Sequence, residues 1–232
     1  MRSDDDAYTT TRTSLQRVAE HVLTAALHAA TGRIGLRVLP GGFGTPTFPS
    51  PHGSRRLRVD GITFVVEDDR GERRAPLMTV RSAAELAEVA PGAPSDVYRP
   101  ATALDLDRPL AVDAAAAGRL AAWFALTDAA LEQLRAECKD EDPSVVQLWP
   151  EHFDLATTIA AVNYGGSPGD DGHDRPYLYV GPFQPPPPDG GFWNEPFGAS
   201  LSEDQVATVH DALAHFRAGR DRLALMGSGH DG

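Results

Sequence analysis

Residues suited to acid–base chemistry or metal binding are concentrated between Val145 and Val180. In the predicted strand that starts at Glu151, side chains alternate between two faces, which places His152 and Asp154 on the same face. A neutral imidazole beside a carboxylate can act as a general base with a fixed tautomer, or can bind a divalent metal ion. His152 and Asp154 are therefore the first candidate catalytic and metal-binding residues.

These two residues do not complete a catalytic metal site, because catalytic zinc usually takes about three protein ligands. Glu151 and the loop residue Asp170 are the candidates for a general base or a further ligand, and His173 for a lid over the site. The loop lacks the ligand spacing of an EF-hand. The alternative is that His152 and Asp154 only tie a strand to a loop by hydrogen bonds.

Aromatic residues near these polar groups are candidates for the lining of a ligand pocket. Ala156 and Thr158 lie on the predicted face of His152, and small residues beside polar ones leave the space that a pocket needs. Aromatic side chains suit the mouth of such a pocket, since they combine an apolar body with a polar tip. The predicted ligand-binding residues are Trp149, Tyr164, His173 and Trp193.

The charge of the chain is distributed unevenly, and this limits its partners. The 232 residues carry a net charge of −12, and residues 113–232 hold 7 basic against 19 acidic side chains. A nucleic-acid partner is disfavoured, because such binding depends largely on Lys and Arg contacts to phosphate. The acidic half fits a solubilising surface or a basic protein partner.

The sequence shows no membrane or targeting segment. No run approaches the roughly 18 apolar residues that span a bilayer, and the N-terminus is acidic where a signal peptide is basic. The single cysteine, Cys138, cannot form an intramolecular disulfide, in agreement with a reducing compartment. We therefore expect a cytoplasmic protein with no membrane contact.

The first half of the chain predicts a helix, a β-meander and a short second helix. Thr13–Gln16 has the spacing of a capping box, and apolar residues follow at helical intervals as far as Gly32. Asp60-Gly61, between alternating apolar runs, is the strongest hairpin signal. A second capping pattern at Ser82–Glu85 predicts a helix that ends near Ala90.

Two stretches have no helical or strand period. Residues 40–54 are rich in proline and glycine and predict a long loop, and residues 91–112 predict a linker or surface crossing. Long ordered loops are often functional. The candidate rim residues in the first of them are Phe43, Phe48 and His52.

The second half of the chain repeats the predicted order of a helix followed by strands. Asp113 is predicted to cap a long helix whose apolar stripe belongs to the core. Strands are predicted at residues 145–149, 152–162 and 177–183. The capping pattern at Ser202–Gln205 predicts a closing helix.

These elements predict an α+β protein in which antiparallel β-meanders are flanked by helices, with a helix-plus-meander arrangement repeated twice as an alternative description. We expect disordered tails at residues 1–10 and 223–232 and a single compact domain over residues 11–222. Its alternative division is into the halves 11–90 and 113–222, joined by the crossing segment 91–112.

Several motifs together resemble a bacterial family of unknown function. They are LWPEHFDLA (148–156), SPGD (167–170), RPYLYVGPF (175–183) and FWNEPFGA before the closing helix. The resemblance implies the predicted architecture and implies that Trp149, His152, Phe153 and Asp154 act as a unit. The resemblance implies no activity, because none is established for that family.

Three functional hypotheses from different classes follow. The first is a small-ligand-binding protein whose pocket contains Trp149, His152, Asp154 and Tyr164. The second is a metal-assisted hydrolase or isomerase, in which a divalent metal is held by His152 and Asp154. The third is an acidic adaptor that binds a protein partner. Converging polar groups favour the enzyme, an aromatic pocket favours the binding protein, and a flat apolar patch favours the adaptor.

Overall fold

A computed structural model describes residues 4–228, with side chains up to Met226. The chain has an α+β fold of four helices and two antiparallel sheets, of six and five strands, which confirms the predicted class. Contacts between Cα atoms divide it into unit 1 (residues 1–125 and 147–153) and unit 2 (residues 126–146 and 154–232). This division differs from the expected halves 11–90 and 113–222. Within the described residues, every helix is too short or too polar to cross a membrane.

The first helix of unit 1 consists of three consecutive segments. They are α1 (Asp4–Val18), a π-helical segment (Ala19–Thr24) and α2 (Ala25–Thr31). The helix ends at Gly32, whose φ of 71° is accessible to glycine at little cost, as the sequence predicts. The π-helical segment has no signature in the sequence and is fully buried.

The start of this helix differs from the prediction. The proposed capping box at Thr13–Gln16 lies inside α1, and residues 4–10, expected to be a disordered tail, are helical. Asp4, Asp5 and Asp6 occupy the first turn, where negative charge stabilises the helix dipole. At the other end of the chain, residues 223–228 are helical, and residues 229–232 lie outside the described part.

The sheet of unit 1 is a meander with one additional short strand. The predicted hairpin forms, but its turn lies one residue later than predicted: Asp60 pairs with Thr63, so the turn residues are Gly61, with a φ of 59°, and Ile62. Residues 40–54, predicted to be a loop, contain two short strands, because their pairing with a neighbouring strand outweighs their proline and glycine content. The strands are β1 (Arg37–Leu39), β2 (Gly42–Gly44), β3 (Phe48–Ser50), β4 (Gly53–Asp60), β5 (Thr63–Asp68) and β6 (Gly71–Pro76). The sheet order is β1-β2-β4-β5-β6, and β3 pairs with β4.

Helix α3 (Val80–Ala87) follows the meander, and residues 91–112 form neither helix nor strand, as predicted. The capping box of α3 is formed by Thr79 and Ser82, three residues before the predicted one. Helix α4 (Ala114–Glu137) begins at its predicted cap, where Asp113 Oδ1 accepts a hydrogen bond of 2.9 Å from the Ala116 N–H.

Aromatic side chains form the centre of the unit 1 core. Phe43, Phe124 and Phe153 are fully buried and pack edge to face, with ring centroids 5.2–6.2 Å apart. Phe153 reaches this cluster with a φ of 54°, a conformation unfavourable for a residue with a side chain. Strand β7 (Gln147–Trp149) joins the unit through Leu148, whose backbone pairs with that of Leu36.

Four strands of the five-stranded sheet belong to unit 2: β8 (Asp154–Ile159), β9 (Val162–Ser167), β10 (Tyr177–Pro182) and β11 (Ala199–Ser202). They pair in the order β11-β10-β9-β8. The predicted strand over residues 152–162 is divided, because the chain reverses at Ala160 and Ala161, with φ values of 47° and 63°. Such turns usually contain Asn or Gly, so the sequence gives no sign of this hairpin. The closing helix α5 (Val209–Ser228) begins after the predicted cap, and residues 203–205 form a single 3₁₀ turn.

One face of this sheet packs on its helices. Tyr164 meets Phe216 of α5 edge to face at 6.0 Å, and a methyl group at Gly166 would lie 2.8 Å from the Thr127 side chain of α4. His215 of α5 is 8% exposed, and its Nε2 has no hydrogen-bond partner among the described residues. Burial, with a smaller contribution from the charge of Arg222, lowers the pKa of His215 to about 4.

The low pKa of His215 predicts a loss of stability in mild acid. The unfolded chain protonates this histidine near pH 6.5, whereas the folded chain resists protonation until about pH 4. Between these values the unfolded state binds more protons, so the free energy of unfolding falls as the pH falls. We expect this residue to contribute a loss of about 2 kcal/mol between pH 7 and pH 5.

Urea unfolding at pH 7 and pH 5 tests this expectation. His215→Phe keeps a buried ring without a titrating group and should lose less stability than the wild type on acidification. His210→Gln, at an exposed position of the same helix, should behave like the wild type. An equal loss of stability in His215→Phe and the wild type would contradict the assignment.

Candidate functional site

The polar face of the unit 2 sheet brings together residues from three of its strands. Asp154 is the first residue of β8, and Tyr179 lies on β10, with Gly165 of β9 between them. The Tyr179 phenol donates a hydrogen bond of 2.5 Å to Asp154 Oδ2. Burial and the neighbouring carboxylate of Asp154 raise the pKa of Tyr179 well above its ordinary value, so the phenol stays protonated as the donor.

A second pair of phenol and carboxylate lies beside the first. Tyr177 donates a hydrogen bond of 2.6 Å to Asp170 Oδ2, and the rings of Tyr177 and Tyr179 are 6.3 Å apart. The backbone N–H groups of Gly172 and His173 donate to Asp170 Oδ1. Burial raises the pKa of Asp170, but these hydrogen bonds outweigh it and lower the pKa overall, so Asp170 is an ionised acceptor.

His173 continues this network into the segment before β11. Its ring stacks on Tyr177 at 4.2 Å, and its Nε2 lies 3.0 Å from Glu195 Oε1. The Ser200 hydroxyl donates to the same oxygen at 3.0 Å. The network therefore links two loops to the sheet, and Glu195 belongs to it although the sequence did not single it out as a site residue.

The other predicted residues of unit 2 lie away from this face. Tyr164 pairs with Thr157, so its side chain projects from the opposite face to Asp154, and burial raises its pKa to about 12. Trp193 is buried against Phe192, with ring centroids 4.9 Å apart, and its Nε1 has no hydrogen-bond partner among the described residues. The structure thus brings together Asp154, Asp170 and His173, but not Tyr164.

Three predicted residues belong to unit 1. Trp149 is half-buried at the end of β7, and His152 is exposed in the turn that follows. Because β8 begins only at Asp154, the strand alternation that placed His152 beside Asp154 does not apply. Glu151 accepts a hydrogen bond from Gln16 Nε2 at its backbone oxygen, 3.3 Å away, while its carboxylate Oε2 is buried without a hydrogen-bond partner among the described residues.

The expected metal site at His152 and Asp154 gains no further ligand. Across residues 4–228 there is no group of three or more His, Cys, Asp or Glu side chains that could hold a metal ion. Around His173, the carboxylates of Asp170 and Glu195 lie near different ring nitrogens, Nδ1 and Nε2. The two carboxylates and a single ring nitrogen therefore do not converge on one position for a metal ion.

Unit 1 contains a cavity of about 530 Å³ that was not predicted from the sequence. This volume falls within the range of roughly 300–1,000 Å³ that is common for small-molecule sites. Most of its lining is apolar and comes from α2, β3 and the segment after α3. We call it the alanine groove; it is lined by Ala25, Ala26, Ala29, Ala30, Phe48, Pro49, Ser50, Pro51, Arg55, Glu88, Val89 and Ala90.

The charged residues of the groove belong to a network of ion pairs. Arg55 is buried and donates to the Ala87 carbonyl at 2.6 Å and to Asp68 at 3.3 Å. Glu88 lies 3.0 Å from Arg70 and 3.1 Å from His52. The hydrogen bond from Arg70 holds the pKa of Glu88 below its usual range, so the carboxylate is charged at neutral pH.

The sequence contained part of the signal for this groove. Phe48 and His52 were candidate rim residues, and Phe48 lines the groove while His52 contacts its Glu88. Alanines at 25 and 29, and at 26 and 30, repeat at the spacing of one helix face, and their small side chains leave space beside it. The packing of this face near β3 depends on contacts distant in sequence.

Comparison with known proteins identifies no relative. No family model, no curated protein and no solved structure matches this chain. The resemblance to a bacterial family of unknown function therefore stays a prediction.

Gly165 predicts a test of the polar face. A methyl group at this position would lie 2.4 Å from the Tyr179 ring and 2.5 Å from the Leu155 carbonyl oxygen. Gly165→Ala should therefore lower the free energy of unfolding by about 2 kcal/mol, because the ring must move away from Asp154. At Gly118 of α4 nothing lies within 4 Å of such a methyl group, and Gly118→Ala should raise stability by about 0.5–1 kcal/mol. Urea unfolding of both variants checks this, and a stable Gly165→Ala would refute the close packing of Tyr179.

Proposed function

We propose that this protein binds a small, uncharged, largely apolar molecule with a hydroxyl group in the alanine groove. The observation that carries the proposal is the groove itself, which has a volume of about 530 Å³ and a mostly apolar lining with only a few polar side chains. That combination is typical of small-ligand sites, where apolar surface provides affinity and a few polar groups provide orientation.

The lining favours a flat apolar body. The walls of the groove are smooth and apolar. They consist of alanine methyl groups of α2 and the rings of Phe48, Pro49 and Pro51. Burying such surface contributes about 25 cal/mol per Å² before the costs of association. A fused aromatic ring system suits these walls better than a branched or polar molecule.

The polar groups favour a ligand that donates a hydrogen bond. Arg55 already donates to Ala87 and Asp68, and its Nε is buried. Glu88 is exposed and ionised, so the polar group available to a ligand is a carboxylate acceptor. A cationic ligand is disfavoured because Arg70 and Arg73 also contact Glu88. A neutral hydroxyl group can donate a hydrogen bond to Glu88 without adding a positive charge beside the two arginines.

Fluorescence titration with 2-naphthol tests the proposal. We expect binding to the wild type and weaker binding of 2-methoxynaphthalene, which has the same ring system but no hydroxyl hydrogen. Ala29→Phe fills the groove from an exposed helix position and should weaken 2-naphthol binding about tenfold or more.

The matched control is Ala122→Phe, at an exposed position of α4 outside the groove, which should bind like the wild type. Glu88→Gln should reduce the preference for 2-naphthol over its methyl ether. Equal affinity in Ala29→Phe and Ala122→Phe, or no binding to the wild type, would overturn the proposal.

A further inference from the structure

Unit 1 contains another cavity, on the opposite face of its sheet from the alanine groove. Arg55 of β4 lines the groove and Arg56 lines this cavity, and consecutive residues of a strand project to opposite faces. The volume of the cavity is about 340 Å³, which is enough for a small molecule. We call it the charged cavity; it is lined by Leu39, Pro40, Gly41, Arg56, Arg58, Asp60 and Glu67.

One of the two arginines of the charged cavity, Arg58, is fully engaged by carboxylates of the protein. Its Nε donates to Glu67 Oε1 at 2.7 Å, and its Nη1 lies 3.1 Å from Asp60 Oδ2. Its Nη2 lies 3.6 Å from Glu72 Oε2, and only 14% of the side chain is exposed. Because all three nitrogens face carboxylates, Arg58 holds the wall of the cavity together and is not available to a ligand.

The other arginine, Arg56, keeps most of its hydrogen-bonding capacity. Its Nη2 donates to the Thr47 hydroxyl at 3.2 Å, and its Nε has no hydrogen-bond partner among the described residues. Its Nη1 lies 3.5 Å from Glu67 Oε2, which is too long for a strong hydrogen bond. The side chain is 39% exposed. A ligand anion can therefore reach this guanidinium group and replace the long contact with Glu67.

Two carboxylate oxygens of the charged cavity also have unused capacity. Asp60 Oδ2 accepts from Arg74 and lies beside Arg58, whereas Oδ1 accepts no hydrogen bond from the described residues. A methyl group at Gly41 would collide with Oδ1, so this oxygen lies directly against a glycine of the cavity lining. Glu67 Oε2 forms only the long contact with Arg56. Both oxygens can accept hydrogen bonds from a ligand.

We propose that the charged cavity binds a small zwitterion of the α-amino acid class. The carboxylate of the ligand accepts two parallel hydrogen bonds from Arg56, since a guanidinium group matches the geometry of a carboxylate. The ammonium group of the ligand donates to Asp60 and Glu67. Hydrogen bonds between charged groups are roughly twice as strong as those between neutral groups. The site is separate from the alanine groove and does not depend on the ligand proposed there.

The balance of charge in the lining favours a zwitterion over a simple ion. Two arginines and two carboxylates line the cavity, so a simple anion meets the repulsion of the carboxylates and a simple cation that of the arginines. A quaternary ammonium group is disfavoured, because such groups bind to aromatic faces and none of the lining residues is aromatic. Leu39 and Pro40 provide apolar surface for a short aliphatic side chain.

Calorimetric titration of the full chain with L-leucine at pH 7 and constant ionic strength tests the proposal. The wild type should bind L-leucine. N-acetyl-L-leucine lacks the ammonium group and L-leucinamide lacks the carboxylate, so each should bind about tenfold more weakly or not at all. Absence of L-leucine binding, or equal affinity for the three compounds, would overturn the proposal.

Two matched variants locate the binding. Arg56→Gln removes the partner of the ligand carboxylate at a partly exposed position and should weaken L-leucine binding about tenfold or more. Arg81→Gln removes an exposed, ion-paired arginine outside the cavity and should bind L-leucine like the wild type. Arg56→Gln should bind 2-naphthol as the wild type does, so a failure of the groove proposal leaves this test unaffected. Equal affinity of the two variants for L-leucine would contradict the assignment to the charged cavity.

Discussion

Two adjacent buried side chains, Glu20 and His21, hold the longest irregular segment of the protein in place. Glu20 is fully buried, and its carboxylate accepts hydrogen bonds from the backbone N–H groups of Ala101 and Thr102 at 2.7 and 2.9 Å. The Thr102 hydroxyl donates a third. Burial raises the pKa of Glu20, and these donors act in the opposite direction. A buried carboxylate without them would be strongly destabilising.

His21 provides the second attachment of the same segment. The Ala93 N–H donates to His21 Nδ1 at 3.1 Å, so the proton of a neutral ring resides on Nε2, which donates to the Thr102 carbonyl 3.0 Å away. The Gly92 N–H donates to the His21 carbonyl at 2.9 Å. Residues 92–102 are thereby fixed at both ends to consecutive residues of the π-helical segment. Val89 and Ala90, which line the alanine groove, lie just before this segment in the chain.

The sequence predicted the elements that local chemistry determines. Asp60-Gly61 specified its hairpin and Asp113 its helix cap, because each acts on backbone groups within a few residues. The turn at Ala160-Ala161 could not be predicted, because neither residue favours the positive φ that strand pairing imposes. The π-helical segment had no signature either. The partners of its buried polar side chains, Glu20 and His21, are backbone groups 72–82 positions away in the sequence. For the site residues, composition drew attention to Asp170 and His173, which join one hydrogen-bonded network, and to Asp154, whose partner Tyr179 packs beside Tyr177 of that network. The alanine groove depends on contacts between distant parts of the chain, so the local alanine spacing reveals only one of its walls.

Hydrogen exchange measured by mass spectrometry on Glu20→Gln tests the role of this attachment most directly. Glutamine keeps the size of the side chain but replaces one acceptor oxygen with a donor that faces the N–H groups of Ala101 and Thr102. We predict that amides in residues 99–108 exchange at least about tenfold faster than in the wild type, since a charge-assisted hydrogen bond is lost, while β4 and β5 keep their protection. Unchanged exchange in residues 99–108, or an equal acceleration across all of unit 1, would contradict the view that Glu20 specifically holds this segment.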